Sequence, residues 1–222
     1  MPLPPGMSDA PVILYLHGFA SSAQSTKGAY LSQRFSECGV TLTCPDFNRP
    51  DFTSLTMTRM LGQVERELAG AERATLIGSS LGGALAVLAA GRFPKQIEKL
   101  ILFAPAVMFA KEGHHLLPSD RVAEWRRRGA LPFFHYAYGE ERLLNVAFYE
   151  DSLQYDPFET RFHQPTLIFQ GAHDQAVDPR TVELFARDRP NVTLRMLDDD
   201  HQLVKSLPQM WTAMKPFLGL VP

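Results

Sequence analysis

Six short segments of the chain combine apolar and β-branched residues without helical spacing, and most of them end beside a glycine or a proline. They cover residues 12–16, 40–44, 74–78, 99–104, 165–170 and 191–196. Segments of this length and composition are typical of strands, and the continuous apolar ones suit strands buried on both faces of a parallel sheet. The pattern therefore predicts six strands.

The segments between these strands carry apolar residues at helical spacing. Helices are predicted over residues 28–38, 55–68, 81–91, 179–187 and 203–217. The helix over residues 81–91 is apolar on nearly every side, which indicates that it is buried. Strands that alternate with helices form a parallel sheet covered on both faces, with right-handed crossovers. We therefore expect an α/β fold of about six mostly parallel strands flanked by helices.

The stretch from residue 107 to residue 160 does not follow this alternation. Its helical patterns are short, at residues 120–128 and 140–149, and its aromatic residues and histidines are dense. A long stretch without strand character between two strands is more typical of an insertion than of core. Because 222 residues suit one sizeable core, we expect a single domain over residues 1–222 with an insertion at about 107–160.

Composition weighs against several classes of protein. Hydrophobic residues make up 45% and charged residues 21%, which is ordinary for a globular domain. The formal net charge of −2 gives no support for nucleic-acid binding. The two cysteines, Cys38 and Cys44, form neither a disulfide framework nor a metal-binding spacing, so we expect reduced, partly buried thiols.

The first residues and the apolar runs bear on where the protein works. Residues 1–10 are rich in proline and lack the basic and apolar regions of a signal peptide. No apolar run approaches the roughly 20 residues that a membrane-spanning helix needs. We therefore expect a cytoplasmic protein with no membrane span, either monomeric or dimeric.

The strongest candidate site follows the third predicted strand. Gly78, Ser79, Ser80, Leu81 and Gly82 fit the nucleophile-elbow pattern of glycine, any residue, serine, any residue, glycine. The pattern lies between a predicted strand and a predicted helix, as it requires, and its glycines leave room for a sharp turn. Ser80 holds the central position and is the candidate nucleophile. In the alternative interpretation, a serine here only caps the following helix.

Two backbone N–H groups are candidates for stabilising the negative charge that forms when a serine attacks a carbonyl carbon. The start of a helix favours negative charge, so the N–H of Leu81 is the first candidate. The loop after the first strand is expected to supply the second through the N–H of Phe19, with Gly18 permitting the bend. His17 is interpreted as a structural hydrogen-bonding residue.

A serine hydroxyl needs a base to take its proton, and the base needs an acid to orient it. Asp174 follows the fifth strand and His201 follows the sixth, which is the order expected for acid and base. Asp178 competes with Asp174, but it directly precedes a proline at a helix start, so we expect it to be the N-cap. His173 has no companion at metal-site spacing, so no metal is predicted.

Over residues 12–217 these motifs resemble the α/β-hydrolase superfamily of serine esterases. The sequences YLHGFASS at residues 15–22 and IGSSLGG at residues 77–83 are similar to those of the small bacterial YqiA-type esterases and of ABHD-type acyl esterases and thioesterases. The resemblance implies hydrolysis of carboxylic esters or thioesters without a cofactor. The superfamily commonly has two further strands ahead of the first loop, so a minimal version of the fold is implied here.

Three hypotheses for the function follow. The leading one is a serine carboxylesterase acting on small to medium acyl esters. The second is a thioesterase or deacylase with the same triad, because both substrates form the same tetrahedral oxyanion. The third is a non-catalytic binding protein on the same scaffold, since a fold alone does not guarantee a function. In each case the expected ligand is a small molecule.

The insertion leaves the sheet above the predicted site, which suggests a helical lid over an apolar acyl pocket. An equally open alternative is that its aromatic residues only pack the insertion onto the core. His114 and His115, also in the insertion, are expected to be solvated. The aromatic residues in question are Phe109, Trp125, Phe133, Phe134, Tyr136, Tyr138, Phe148, Tyr149, Tyr155 and Phe158.

Overall fold

A six-stranded sheet forms the centre of the protein, and all of its strand pairs are parallel. The computed structural model describes residues 11–109 and 119–220. The strand order is β2-β1-β3-β4-β7-β8. The strands are β1 (Val12–Leu16), β2 (Leu42–Thr43), β3 (Ala74–Ser79), β4 (Ile97–Phe103), β7 (Thr166–Gly171) and β8 (Val192–Leu197), while β5 (Ala130–His135) and β6 (Glu140–Asn145) form a separate pair.

Helices cover both faces of this sheet, which confirms the predicted α/β architecture. They are α1 (Thr26–Glu37), α2 (Met57–Glu67), α3 (Leu81–Arg92), α4 (Ser119–Arg128), α5 (Ala147–Ser152), α6 (Pro179–Arg187) and α7 (Leu207–Leu218). Among the helices in the described part of the chain, none is long and apolar enough to cross a membrane.

The side chains of each central strand alternate between two apolar clusters. In β1, Leu14 and Leu16 pack with α2, α3 and α6 on one face, whereas Ile13 and Tyr15 pack with α1 and α7 on the other. This alternation is what a strand buried on both sides requires, because successive side chains point to opposite faces. The central strands are thereby held rigidly, and so are the loops at their carboxyl ends.

The second strand and the last helix are shorter than predicted. The strand predicted over residues 40–44 pairs with β1 only at Leu42 and Thr43, at the edge of the sheet. The helix predicted from residue 203 begins at Leu207, because Leu203 has φ 54°, which is incompatible with a right-handed helix.

The insertion differs most from its prediction. Residues 120–128 are helical, within α4, but the helix predicted over 140–149 is wrong over Glu140–Asn145. That segment is β6, which pairs antiparallel with β5 in full register and is followed by the short helix α5. Gly139, at φ 68°, closes the turn between the two strands. The insertion is therefore a mixture of helices and a hairpin, and His114 and His115 lie outside the described residues.

Candidate active site

Three loops at the carboxyl edge of the sheet bring the candidate catalytic side chains together. Nε2 of His201 lies 3.1 Å from Oγ of Ser80, and Nδ1 of His201 lies 2.8 Å from Oδ2 of Asp174. These partners assign the proton to Nδ1, facing the carboxylate, and leave Nε2 free to accept from the serine hydroxyl. Serine, histidine and aspartate thus form a hydrogen-bonded series.

The turn that carries Ser80 is strained and crowded. Ser80 has φ 53° and ψ −114°, a backbone conformation that side-chain-bearing residues rarely adopt. A Cβ on Gly82 would lie 2.0 Å from the carbonyl oxygen of Leu16, and one on Gly78 would lie 2.3 Å from the carbonyl oxygen of Gly82. Ser80 occupies the N-cap position of α3, yet its side chain makes no capping hydrogen bond. The capping interpretation of this serine is therefore wrong.

Backbone strain is concentrated at this edge of the sheet. The non-glycine residues with positive φ in the described chain are Ala20, Ser80, Ala104 and Leu203. They lie in the loop after β1, in the elbow, at the end of β4 and two residues after His201. Strain of this kind costs on the order of 1–3 kcal/mol per residue and persists only where the surrounding structure enforces it. The site is accordingly held by contacts from several elements.

The carboxylate of Asp174 is buried and fully engaged. Its Oδ1 accepts hydrogen bonds of 2.8 Å from the N–H groups of Ala176 and Val177. Its Oδ2 accepts from His201 and, at 2.9 Å, from Nε2 of Gln170. Burial raises the pKa of Asp174, but these hydrogen bonds outweigh burial, so its pKa lies below the ordinary value. Asp174 therefore stays ionised beside the histidine.

Asp178, the competing acid, has a different role in the structure. It is the N-cap of α6, where its Oδ1 accepts from the N–H of Arg180 at 2.9 Å. Its carboxylate also pairs with the Arg180 guanidinium. The contact to His201 belongs to Asp174, so the predicted capping role of Asp178 agrees with the geometry.

A buried lysine anchors the loop that carries His201. Nζ of Lys27, in the first turn of α1, donates to the carbonyl oxygen of Gln202 at 2.7 Å, and the residue is only 7% exposed. Burial lowers the pKa of Lys27 to about 8, and the neighbouring carboxylates of Asp200, Asp174 and Asp199 only partly oppose this. The contact ties α1 to the residue directly after the histidine.

Sequence reasoning missed both Lys27 and Gln170. Gln170 is a fully buried polar residue that directly follows the apolar residues 167–169 of β7, and that contrast is a signal that could have drawn attention to it. Lys27 offers no comparable signal, because its partner lies 175 residues away along the chain.

The two candidate oxyanion donors, Phe19 and Leu81, line the same cavity as Ser80. Leu81 is the first residue of α3, so its N–H has no partner within the helix. Phe19 lies in the loop after β1, and both Phe19 and Ser80 line the same cavity. His17 is buried, and its Nε2 accepts from the N–H of Phe47 at 3.1 Å, consistent with a structural role.

That cavity opens beside Ser80 and is walled by the insertion. Its volume is about 220 Å³. Its lining is mostly apolar. The Ser152 hydroxyl donates to the carbonyl oxygens of Phe148 and Tyr149, and Nε1 of Trp125 donates to the carbonyl oxygen of Leu144. Besides Ser80 and Ser152, the lining residues are Phe19, Leu81, Ala106, Phe109, Trp125, Phe133, Phe148 and Tyr149.

No group of three or more potential metal ligands occurs within residues 11–109 and 119–220. His173, the histidine considered as a ligand, instead pairs with Asp198 at 2.8 Å on the surface. Cys38 and Cys44 are both free thiols, the first exposed and the second partly buried.

Comparison with known families decides the family of this chain. The model of the family described as "Uncharacterised protein family (UPF0227)" matches residues 12–218, which is nearly the whole chain. The chain belongs to this family. The match runs from the first residue of β1 to the last residue of α7, so it includes all three loops of the site.

Solved structures show that this UPF0227 protein has the α/β-hydrolase fold. Est1E from Butyrivibrio proteoclasticus with bound ferulic acid is 21% identical, with a TM-score of 0.79 over 94% of this chain and 88% of that one. Alpha/beta hydrolase domain-containing protein 10 from mouse is 19% identical, with a TM-score of 0.79 over 95% and 90%. A monoacylglycerol lipase from Paleococcus ferrophilus is 14% identical, with a TM-score of 0.72 over 93% of each chain.

A curated relative matches in sequence over a shorter region. The biotin biosynthesis bifunctional protein BioHC of Teredinibacter turnerae is 33% identical over 106 residues. The match covers 45% of this chain and 18% of the length of that relative.

Proposed function

We propose that this protein is a serine carboxylesterase that hydrolyses small to medium acyl esters through an acyl-enzyme on Ser80. The observation that carries the proposal is the unbroken hydrogen-bonded series from Ser80 through His201 to Asp174, built on a strained elbow. Several structures of similar fold are described as lipolytic enzymes, carboxylesterases or a monoacylglycerol lipase, which supports the same class of reaction.

In the proposed mechanism Oγ of Ser80 attacks the ester carbonyl carbon while Nε2 of His201 takes the serine proton. The ionised Asp174 stabilises the imidazolium that forms. The N–H groups of Phe19 and Leu81 donate to the oxyanion. When the tetrahedral intermediate collapses, the bond to the alcohol oxygen breaks and His201 gives its proton to that oxygen. Water then attacks the acyl carbon while Nε2 of His201 takes a proton from it. The bond to Oγ of Ser80 breaks, His201 gives the proton to that oxygen, and the carboxylic acid leaves.

The apolar cavity beside Ser80 is proposed to hold the acyl group. A volume of about 220 Å³ lies below the roughly 300–1,000 Å³ of sites for drug-sized ligands, so an acyl group of modest size fits best. Aromatic side chains of the insertion form much of the wall, including Trp125, Phe133 and Phe148. In this proposal the insertion is a lid whose aromatic residues select the acyl chain.

The test is the turnover of short p-nitrophenyl esters by Ser80→Ala, with Ser79→Ala as the matched control. Removal of a triad serine should reduce kcat by roughly 10⁴-fold or more while the melting temperature stays near that of the parent. Ser79 is the adjacent buried serine, and its loss should leave most of the turnover. Full activity of Ser80→Ala would refute the proposal.

A separate comparison of rates on matched oxygen and sulfur esters shows whether the protein prefers esters or thioesters.

A further inference from the structure

The loop that contains Phe19 is held in place by residues from outside it. Directly after Phe19, Ala20 has φ 50°, a conformation that needs external support. The side-chain amide of Asn48 donates to the carbonyl oxygen of Ser21 at 2.9 Å. The N–H of Ala137, at the tip of the β5–β6 hairpin, donates to the carbonyl oxygen of Ala20 at 3.4 Å. Two consecutive carbonyl groups are thus held by other parts of the chain.

Asn48 is itself held by a histidine of the insertion. Oδ1 of Asn48 lies 2.9 Å from Nε2 of His135, the last residue of β5. Because the Asn48 amide nitrogen donates to Ser21, the Asn48 oxygen must be the acceptor, so Nε2 of His135 carries the proton. Asn48 is 5% exposed and His135 is 0% exposed. The contact is therefore a buried, directional link between residues 87 positions apart.

The surroundings of His135 keep its ring neutral and fixed. Burial and the nearby charge of Arg142 lower its pKa, and these outweigh the opposing effects of its own backbone carbonyl group and of Asp46. In the described part of the chain Nδ1 makes no hydrogen bond. The ring stacks on Tyr138 at 4.1 Å between centroids and meets the edge of Phe52 at 4.7 Å. A neutral imidazole with one donor is the form that the link to Asn48 requires.

We infer that Asn48 and His135 are positioning residues for the oxyanion site. Together they fix the Ser21 carbonyl, which directly follows the strained Ala20, and so help to set the direction of the Phe19 N–H. This rests on the proposed function, in which that N–H is an oxyanion donor. The hairpin of the insertion then contributes to the turnover of every ester, independently of the aromatic residues that line the acyl cavity.

The size of the effect follows from what an oxyanion donor contributes. Losing one donor outright costs on the order of 10²–10³ in kcat, and small misplacements of reacting groups cost up to about 10². Disturbing the link should misdirect the donor without removing it. We therefore expect kcat to fall by roughly 10- to 100-fold with KM changed by less than about threefold, for acetyl and octanoyl esters alike.

The experiment compares Asn48→Asp, His135→Leu and His135→Gln on p-nitrophenyl acetate and octanoate. Asn48→Asp keeps an acceptor for His135 but loses the donor to Ser21, so it should lose turnover. His135→Leu should lose turnover as well, whereas His135→Gln, which can place an amide donor near the former Nε2, should recover most of it. Tyr136→Ala, at the hairpin tip and 73% exposed in the parent, is the control and should stay near parental kcat.

A second measurement separates positioning from general damage. Affinity for an alkyl trifluoromethyl ketone, which forms an oxyanion when Ser80 adds to it, should weaken in parallel with kcat, while KM stays nearly constant. If His135→Leu does not fold, the kcat and ketone affinity of Asn48→Asp test the inference. Parental kcat and ketone affinity in Asn48→Asp would overturn the inference. If Ser80→Ala remains active, it is the proposed function that fails.

Discussion

The carboxyl edge of the sheet and the insertion between β4 and β7 surround the same cavity, but they are built differently. At the sheet edge, Ser80, Asp174 and His201 are each held by hydrogen bonds from rigid strands or from their immediate loops. Towards the cavity the insertion presents mostly aromatic rings, such as Phe133 and Phe148, whose contacts with Phe19 are apolar and less directional. Changes at the edge should therefore abolish the reaction, whereas changes in the cavity wall should alter which acyl groups react.

The largest expected effect at the sheet edge comes from the acid. Asp174→Asn should reduce kcat by roughly 10⁴-fold, because an amide no longer holds His201 in the required tautomer. Asp178→Asn is the matched control, since asparagine caps a helix about as well as aspartate and should leave kcat within about twofold. Kinetics of both variants on one short ester measure the difference. Equal losses in the two variants would contradict the assignment of Asp174.

The next effect concerns stability and comes from Lys27. Its folded pKa of about 8 is below the unfolded value, so both states are protonated below pH 8 and the cost of burying the charge is fully present there. Between pH 8 and about 10.5 the unfolded state binds the extra proton, so stability rises with pH. At 1.36 kcal/mol per pKa unit, the gain relative to Lys27→Met approaches about 3 kcal/mol.

Urea unfolding of the parent and of Lys27→Met from pH 7 to pH 10.5 measures this gain. Lys95→Met replaces an exposed lysine and is the control. Its free energy of unfolding should change with pH as that of the parent does. A constant difference between the parent and Lys27→Met across this range would show that Lys27 is not buried as a charge.

A smaller effect is expected from Gln170. Gln170→Leu removes one hydrogen bond to the Asp174 carboxylate, and bonds to charged groups contribute about 1.5–3 kcal/mol. We expect kcat to fall by roughly tenfold or somewhat more. Gln164→Leu is a matched control, because Gln164 is also buried, just before β7, but donates to the carbonyl oxygen of Ala90. Both variants should lose stability, and only Gln170→Leu should lose turnover.

The smallest effect tests the insertion side of the comparison. Phe148→Leu should enlarge the cavity and raise the ratio of octanoyl to acetyl turnover by about fourfold, since one further buried methylene contributes about 0.8 kcal/mol. Leu153→Ala, at an exposed residue just beyond α5, should leave the ratio unchanged. A uniform loss for all chain lengths in Phe148→Leu would count against an acyl-selecting lid.

The same two regions differ in how well the sequence predicts them. The elbow was recognisable because its glycines are required locally, where a Cβ at Gly78 or Gly82 would collide with backbone. Asp174 follows the apolar run of residues 165–170, and His201 follows residues 191–196, where apolar and polar side chains alternate as in a strand. In the insertion, residues 140–145 contain Glu, Arg and Leu, which favour helix, yet pairing with β5 makes them a strand. The hydrogen bonds of His135 to Asn48 and of Lys27 to Gln202 join positions that are distant along the chain, so the local sequence pattern does not predict them.

The most direct test of the account is to locate the nucleophile by its reaction with a fluorophosphonate, in which the serine oxygen displaces fluoride from phosphorus. The parent protein is treated with a fluorophosphonate and analysed by intact mass and peptide mapping, alongside Ser80→Ala and His201→Ala. We predict one adduct per chain, on the peptide containing Ser80, absent from Ser80→Ala and formed far more slowly in His201→Ala. No adduct on the folded parent, or an adduct on another residue that persists in Ser80→Ala, would contradict the central claim.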